Sequence, residues 1–281
     1  MVWSCLVSIL PGMAQTEKLT DYVNPFVGTD GYGNVYPGAQ IPFGGIQMSP
    51  DTDSRFYDAA SGYKYNHLTL MGFSLTHLSG TGIPDLGDFL FIPGTGEMKL
   101  EPGTHEDPDK GYRSRYSHDK EWASPNYYAV ELADYGVKAE MTSGVRSGMF
   151  RFTYPESDSA FIMIDMNHTL WQSCEWSNLR MINDSTITGY KLVKGWGPER
   201  HVYLTATFSK KLTGLRFMQD KKPVIYNTSR FRSSYEAWGK NLMACLSFDT
   251  KAGEEVIVKT AVSAVSTDGA RNNICLLYTS D

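Results

Sequence analysis

Residues 127–141 read YYAVELADYGVKAEM. Tyr127 to Leu132 is a short run of aromatic and aliphatic residues, Asp134-Tyr135-Gly136 is a turn, and Val137 to Met141 resumes the same kind of run. Aromatic and β-branched residues bounded by Asp and Gly are what strands and their turns are made of. Working outward, comparable runs occupy 145–153, 160–166, 186–192, 202–208, 243–248 and 255–262, with 89–92 upstream, ending at Pro93-Gly94. Turn residues interrupt them at frequent intervals, and no long helical period separates them. The pattern predicts a mainly β protein, a large antiparallel β-sandwich. Nothing repeats at a solenoid or propeller period.

The chain has 281 residues, of which 41% are hydrophobic, 13% aromatic and 20% charged, enough for one large or two modest well-packed domains. A net charge of -5 without a basic patch gives no reason to expect a nucleic-acid partner. No stretch approaches the roughly 20 apolar residues of a membrane helix. Residues 1–14 read as a secretory signal: an apolar run from Val2 to Leu10, then Pro11-Gly12-Met13-Ala14 as a small-residue cleavage site, although no Lys or Arg precedes Lys18. Cys5 goes with that segment. Cys174 and Cys245 could form one disulfide, but buried free thiols are the expectation, and no CxxC or HExxH spacing supports a zinc site. The sandwich domain is assigned to 21–272. Residues 273–281, including Cys275, read as a doubtful tail of foreign origin.

Two glycine-rich stretches carry the candidate chemistry. Residues 72–88 read GFSLTHLSGTGIPDLGD. They open with the alternation of a half-buried strand and pass into Ser79-Gly80-Thr81-Gly82, where glycine lets a ligand approach main-chain N–H groups. With His77, Asp85 and Asp88 beside it, this is the equipment a polyol ligand wants; a plain connection between strands reads the same way. The second stretch is NPFVGTDGYGN, residues 24–34. It is no dinucleotide fingerprint, because Tyr36-Pro37 stands where the glycine and helix would have to follow. Asp51-Thr52-Asp53 fails the EF-hand pattern, having Phe56 and Gly62 where Gly and Glu are needed, and reads as a solvated turn. Arg113 and Arg115 are expected to pair with nearby acids. Trp171 and Trp176 lie in a stretch that reads as neither strand nor helix, while Trp196, flanked by Gly195 and Gly197, is either a sugar-stacking platform or a core plug.

The ordered set Asn24-Pro25-Phe26-Val27-Gly28-Thr29, Tyr36-Pro37-Gly38-Ala39, Pro42-Phe43-Gly44, Ser49-Pro50-Asp51-Thr52, Ser61-Gly62-Tyr63 and Gly72 through Gly82 resembles the N-terminal region of glycoside hydrolase family 92. The likeness continues through Tyr112-Arg113-Ser114, Phe208-Ser209-Lys210 and Ser263 through Ala270. Members of that family are secreted or periplasmic, calcium-dependent, inverting exo-α-mannosidases that pair an N-terminal β-sandwich with a C-terminal (α/α)6 barrel. The resemblance implies that this chain is the sandwich alone, with the catalytic carboxylates and most calcium ligands in the absent barrel, so that no catalytic residue and no metal ligand is assigned here. Inverting hydrolysis needs two carboxylates with room for a water between them, and half a cleft does not supply them. What carries over is one side of the pocket for a mannose-containing glycan: Gly28, Thr29, Asp30, Gly31 and Asn34, then His77, Ser79, Gly80, Thr81, Gly82 and Asp85; Trp196 joins them as the candidate platform. Leu75 stands where the family often has histidine, and Tyr32 and Asn34 lie in a loop that is often histidine-rich in the family. The expected function is therefore the N-terminal domain of an exo-α-mannosidase of α-1,2 type, inactive alone. A free-standing carbohydrate-binding module is the alternative, and interdomain packing by the glycine-rich loops a third reading.

Overall fold

The structure, a computed structural model, describes residues 17–54, 59–225 and 235–275. Numbered in chain order, its strands are β1 (Ser49–Asp51), β2 (Thr69–Leu70), β3 (Gly72–Ser74), β4 (Leu90–Thr95), β5 (Ser114–Arg115) and β6 (Glu121–Ser124). Next come β7 (Tyr127–Leu132), β8 (Val137–Ser143), β9 (Ser147–Tyr154), β10 (Ser157–Asp165), β11 (Ser173–Asn183) and β12 (Thr186–Lys194). The last are β13 (Arg200–Phe208), β14 (Gly214–Gln219), β15 (Lys222–Pro223), β16 (Glu236–Gly239), β17 (Leu242–Thr250) and β18 (Glu254–Ser263), followed by one α-helix, α1 (Thr267–Cys275).

Two antiparallel sheets face each other, a seven-stranded one in the order β1-β3-β4-β10-β17-β14-β15 and a nine-stranded one in the order β16-β11-β12-β13-β18-β9-β8-β7-β6. β9 shows why the sequence folds this way. Phe150, Phe152 and Tyr154 alternate with Met149, Arg151 and Thr153, so one face of the strand is buried while Arg151 reaches solvent. Across the gap, Phe73 and Phe91 of the seven-stranded sheet meet Phe150 at ring-centroid distances of 6.3 and 5.1 Å. Each such buried ring contributes roughly 1.5–3 kcal/mol. The seven-stranded sheet is covered on its other face as well: Leu90, Ile92, Phe161 and Met163 form a second apolar layer with Met71, Tyr112, Met218 and Met243. Burial on both faces explains the unbroken apolar run from Ala160 to Ile164.

Three expectations change here. β3 and the residues after it are buried on both sides through His77, because both sheet faces are covered, and are not half-buried. Residues 173–183, Trp176 included, form the eleven-residue strand β11. Its register slips between Cys174 and Trp176 and again between Met181 and Asn183, which breaks the alternation that would have marked it as a strand. Asn273, Ile274 and Cys275, placed in a doubtful tail by the sequence, complete α1: Asn273 Nδ2 donates to the Val262 carbonyl at 2.8 Å and Ile274 is buried. Residues 276–281 and the signal reading at 1–14 lie outside the described residues. Cys174 and Cys245 are buried free thiols.

Candidate functional site

The loop after the first 3-10 turn is closed by its own backbone. Thr29 N–H and Oγ1 both donate to the Phe26 carbonyl, at 3.1 and 2.8 Å, and Val35 N–H returns to the Gly28 carbonyl at 3.3 Å. Gly33 has no freedom to be anything else, since a Cβ there would fall 2.1 Å from the Gly28 carbonyl oxygen. Lys64 Nζ donates to the Gly31 carbonyl at 2.6 Å and Tyr65 N–H to that of Thr29 at 3.0 Å. The second loop is joined directly to the first: Gly80 N–H donates to the Asn34 carbonyl at 2.7 Å. Asp30, Gly31, Ser79 and Gly80 are all exposed, so the two loops present their hydroxyl, carboxylate and main-chain groups outward together.

A buried polar cluster supports these loops from beneath. Asp51, fully buried in β1, accepts from His77 Nε2 at 2.7 Å on one oxygen and from His168 Nε2 at 2.8 Å on the other. His77 Nδ1 donates to the Gln47 carbonyl at 2.7 Å. One ring nitrogen of His77 thus faces a main-chain carbonyl and the other the Asp51 carboxylate. Burial pushes the Asp51 carboxyl upward, but the charge of His77 and the bonds from His168 and His77 prevail and hold it far below the ordinary carboxylate range. Gly62 is the price of this packing: its φ is +87°, and a Cβ there would lie 2.1 Å from Asp51 Oδ1.

A second carboxylate cluster lies alongside. Asp88 is fully buried, takes Thr76 Oγ1 at 2.7 Å and is bridged by Arg200, while Lys191 Nζ stands 3.3 Å from its Oδ1 and donates to the His168 carbonyl at 2.6 Å. Burial opposes ionisation, but Lys191 and Arg200 outweigh it and bring the Asp88 carboxyl down to about 2. Asp85 accepts from Leu86 N–H at 2.6 Å and from Trp196 N–H at 3.1 Å, so it fastens the Gly195-Trp196-Gly197 turn to the second loop. The Trp196 indole is 57% exposed, which excludes the core plug.

Compared with known proteins, residues 22–263 match the model of the glycosyl hydrolase family 92 N-terminal domain. The chain belongs to glycosyl hydrolase family 92. The structure superposes with a TM-score of 0.91 on a family GH92 α-mannosidase from Bacteroides thetaiotaomicron, 94% identical over 94% of this chain and 36% of that one; the same protein has been solved with mannoimidazole. The GH92 glycosyl hydrolase ccman5 gives a TM-score of 0.77 at 26% identity, over 93% of this chain and 35% of that one. An uncharacterized secreted glycosidase from Arthroderma benhamiae is 29% identical over 140 residues, 49% of this chain and 18% of the relative. The chain therefore spans about a third of the length of its solved relatives.

Within this GH92 domain the residues expected at the pocket divide by burial. Gly28, Asp30, Gly31, Asn34, Ser79, Gly80, Thr81, Gly82 and Trp196 are exposed or partly so. Thr29, His77 and Asp85 are not available to a ligand: each is buried, and the polar atoms named above are spent on Phe26, on Gln47 and Asp51, and on Leu86 and Trp196. They hold the loops in place. Asp51 and Asp53, read as a solvated turn, are completely buried: Asp51 is the acceptor between two imidazoles arriving from 26 and 117 residues away, and Asp53 lies 3.4 Å from His105 Nε2. Arg115 pairs with Asp109 and Asp134 as expected, and Arg113 is buried and donates to the Thr52 carbonyl at 2.5 Å. Among the described residues no group of three or more His, Cys, Asp or Glu is placed to hold a metal ion. Asp51, Asp85 and Asp88 are engaged by imidazole, amide and cationic donors, so these three do not fit a calcium site, and no step is routed through one.

Proposed function

We propose that the chain is the N-terminal domain of a secreted or periplasmic exo-α-mannosidase of α-1,2 type, and that it contributes one side of the pocket for a terminal mannose. The observation that carries this reading is the Gly80–Asn34 bond, which joins two outward-facing, hydroxyl- and amide-bearing glycine loops in a domain of this family. Exposed amides and hydroxyls on a backbone held from beneath can meet a sugar's hydroxyls without reorganising, which is how a binding face gains from rigidity. Val27, Tyr32 and Ile83, apolar and largely exposed on or beside the same loops, support a covering C-terminal domain, the (α/α)6 barrel, as the intramolecular partner. On this reading the catalytic carboxylates and the calcium ion belong to that domain, and the present chain is inactive alone. The relative named as a secreted glycosidase supports the location, and no helix among the described residues is long and apolar enough to cross a membrane.

The test is mannose release from α-1,2-mannobiose, with and without added calcium, by the 281-residue chain and by a protein extended to the length of its relatives. The extended protein should turn over and the short chain should not. Release by the short chain overturns its assignment as half a site. In the extended protein, Tyr32→Ala and Thr81→Ala should raise KM, and unchanged KM with a lowered melting temperature would assign the loops to domain packing instead.

A further inference from the structure

A groove of about 860 Å³ opens beside the C-terminal end of β10, and none of the twelve residues assigned to the mannose pocket lines it. Its rim is the segment between β10 and β11, which is pinned on every side. His168 bonds to Asp51, Leu170 N–H donates to the Leu86 carbonyl at 2.9 Å, Thr169 Oγ1 donates to the Gln172 carbonyl at 2.8 Å, and Gln172 Nε2 donates to the Pro84 carbonyl at 2.7 Å. In the middle of this fixed segment Trp171 adopts φ +66° and leaves its indole 63% exposed at the groove. A bulky residue held in the left-handed region is strained, and strain of this kind collects where a ligand is clamped.

The other walls say what such a ligand would be. Met218 and Met243 give an apolar wall, while Asp165, Asn167 and Asn241 bring carboxylate and carboxamide groups to the same space. Asp165 Oδ1 accepts from Asn167 N–H at 2.8 Å, and burial, outweighing the pull of His168, pushes its carboxyl above the ordinary range. The two lysines among the described residues at the groove, Lys221 and Lys240, are paired with Glu101 and Glu175, so neither offers an unneutralised cation to an anionic ligand. A flat aromatic face opposite amide and carboxyl hydrogen-bonding groups suits a ring with one apolar face and hydroxyls at its edge. We propose that this groove is a second, non-catalytic binding site for a neutral oligosaccharide, with Trp171 as its stacking platform. It would hold a glycan beside the mannose pocket, and His168, through Asp51 and His77, fixes the distance between the two. The proposal needs the family only for the choice of probe.

The 281-residue chain, run in native gels cast with soluble yeast α-mannan, with mixed-linkage β-glucan, or with neither, tests it. The wild type should be retarded in at least one polysaccharide gel. Trp171→Ala should weaken that retardation about tenfold, the change that about 1.4 kcal/mol of lost stacking produces. Asn241→Ala should weaken it less, and Trp122→Ala, at an exposed indole on β6 outside both sites, should leave it intact. Circular dichroism shows whether each variant is folded, and Trp171→Gly, which relieves the backbone, replaces the alanine variant if that one is not. Equal mobility of the wild type with and without polysaccharide overturns the proposal, as does retardation that Tyr32→Ala removes and Trp171→Ala does not. Self-association abolished by Trp171→Ala, without retardation in any gel, would assign the groove to a protein partner and overturn it too. Failure of the α-mannosidase reading leaves these results unaffected, because none of them depends on turnover.

Discussion

Replacing Asp51 by Asn keeps the shape of the side chain and removes its charge. Asp51 is fully buried and accepts one bond on each oxygen, at 2.7 Å from His77 and 2.8 Å from His168. Hydrogen bonds to a charged group contribute roughly 1.5–3 kcal/mol each, and breaking a buried ion pair by removing one partner costs about 3–5 kcal/mol. The amide keeps one of the two acceptors and the shape of the side chain, so the loss is taken as about 3 kcal/mol out of a typical total of 5–15. In a chain of this size that is a fall in melting temperature of roughly 6–12 °C. The pH dependence gives a second reading. A carboxyl held below its unfolded value contributes stability that is complete above about pH 5 and is lost as pH falls through the ordinary carboxylate range toward the folded value. Urea unfolding of wild type and Asp51→Asn at several pH values should therefore show the full gap at pH 7 and a shrinking one below about pH 4. A variant within about 1 kcal/mol of wild type at pH 7, or a gap that stays constant on acidification, would refute the account of this cluster.

Two further outcomes follow from the same packing. Gly62→Ala places a methyl 2.1 Å from Asp51 Oδ1 at φ +87°, and should cost about 3 kcal/mol in urea unfolding, from overpacking plus backbone strain; a neutral result would mean that β1 can shift away. Cys245 is buried, and burial pushes its thiol up to about 11, so in the native protein it should resist iodoacetamide at pH 8 while exposed Cys275 labels, with Cys245 reacting only in denaturant. Mass spectrometry of the peptides reads both sites.

Much of the sandwich was legible because its strands are apolar on at least one face and end in turn residues. β7, β8, β9, β12, β13, β17 and β18 all announce themselves as short aromatic and aliphatic runs between turn residues, and the structure places each within a few residues of its expected position. β11 was not legible, since two register slips scramble the period that would have identified it. The supports of the candidate site were hidden for a different reason. Asp51 in a Ser-Pro-Asp-Thr-Asp run has the local chemistry of a surface turn, and only partners far along the chain make it a core residue. His77 looked like a ligand-facing group because a loop motif lists its residue types without saying which side chains turn inward. The exposed backbone of the two glycine loops, by contrast, followed from the glycines themselves.

The bond from Asp51 to His168 closes a span of 117 residues, and the nine-stranded sheet sets β9 beside β18 across a similar stretch of chain. Non-local closures of this kind must meet their loop entropy before any contact repays it, and they slow folding. The outward loops at the beginning of the chain therefore acquire their final footing late. A nascent chain that has not yet produced residue 168 already carries both glycine motifs, but not the imidazole that completes their support. Refolding followed by a probe on Tyr32 should accordingly lag behind one on the local hairpin of β8 and β9, and this order of assembly is written into the topology.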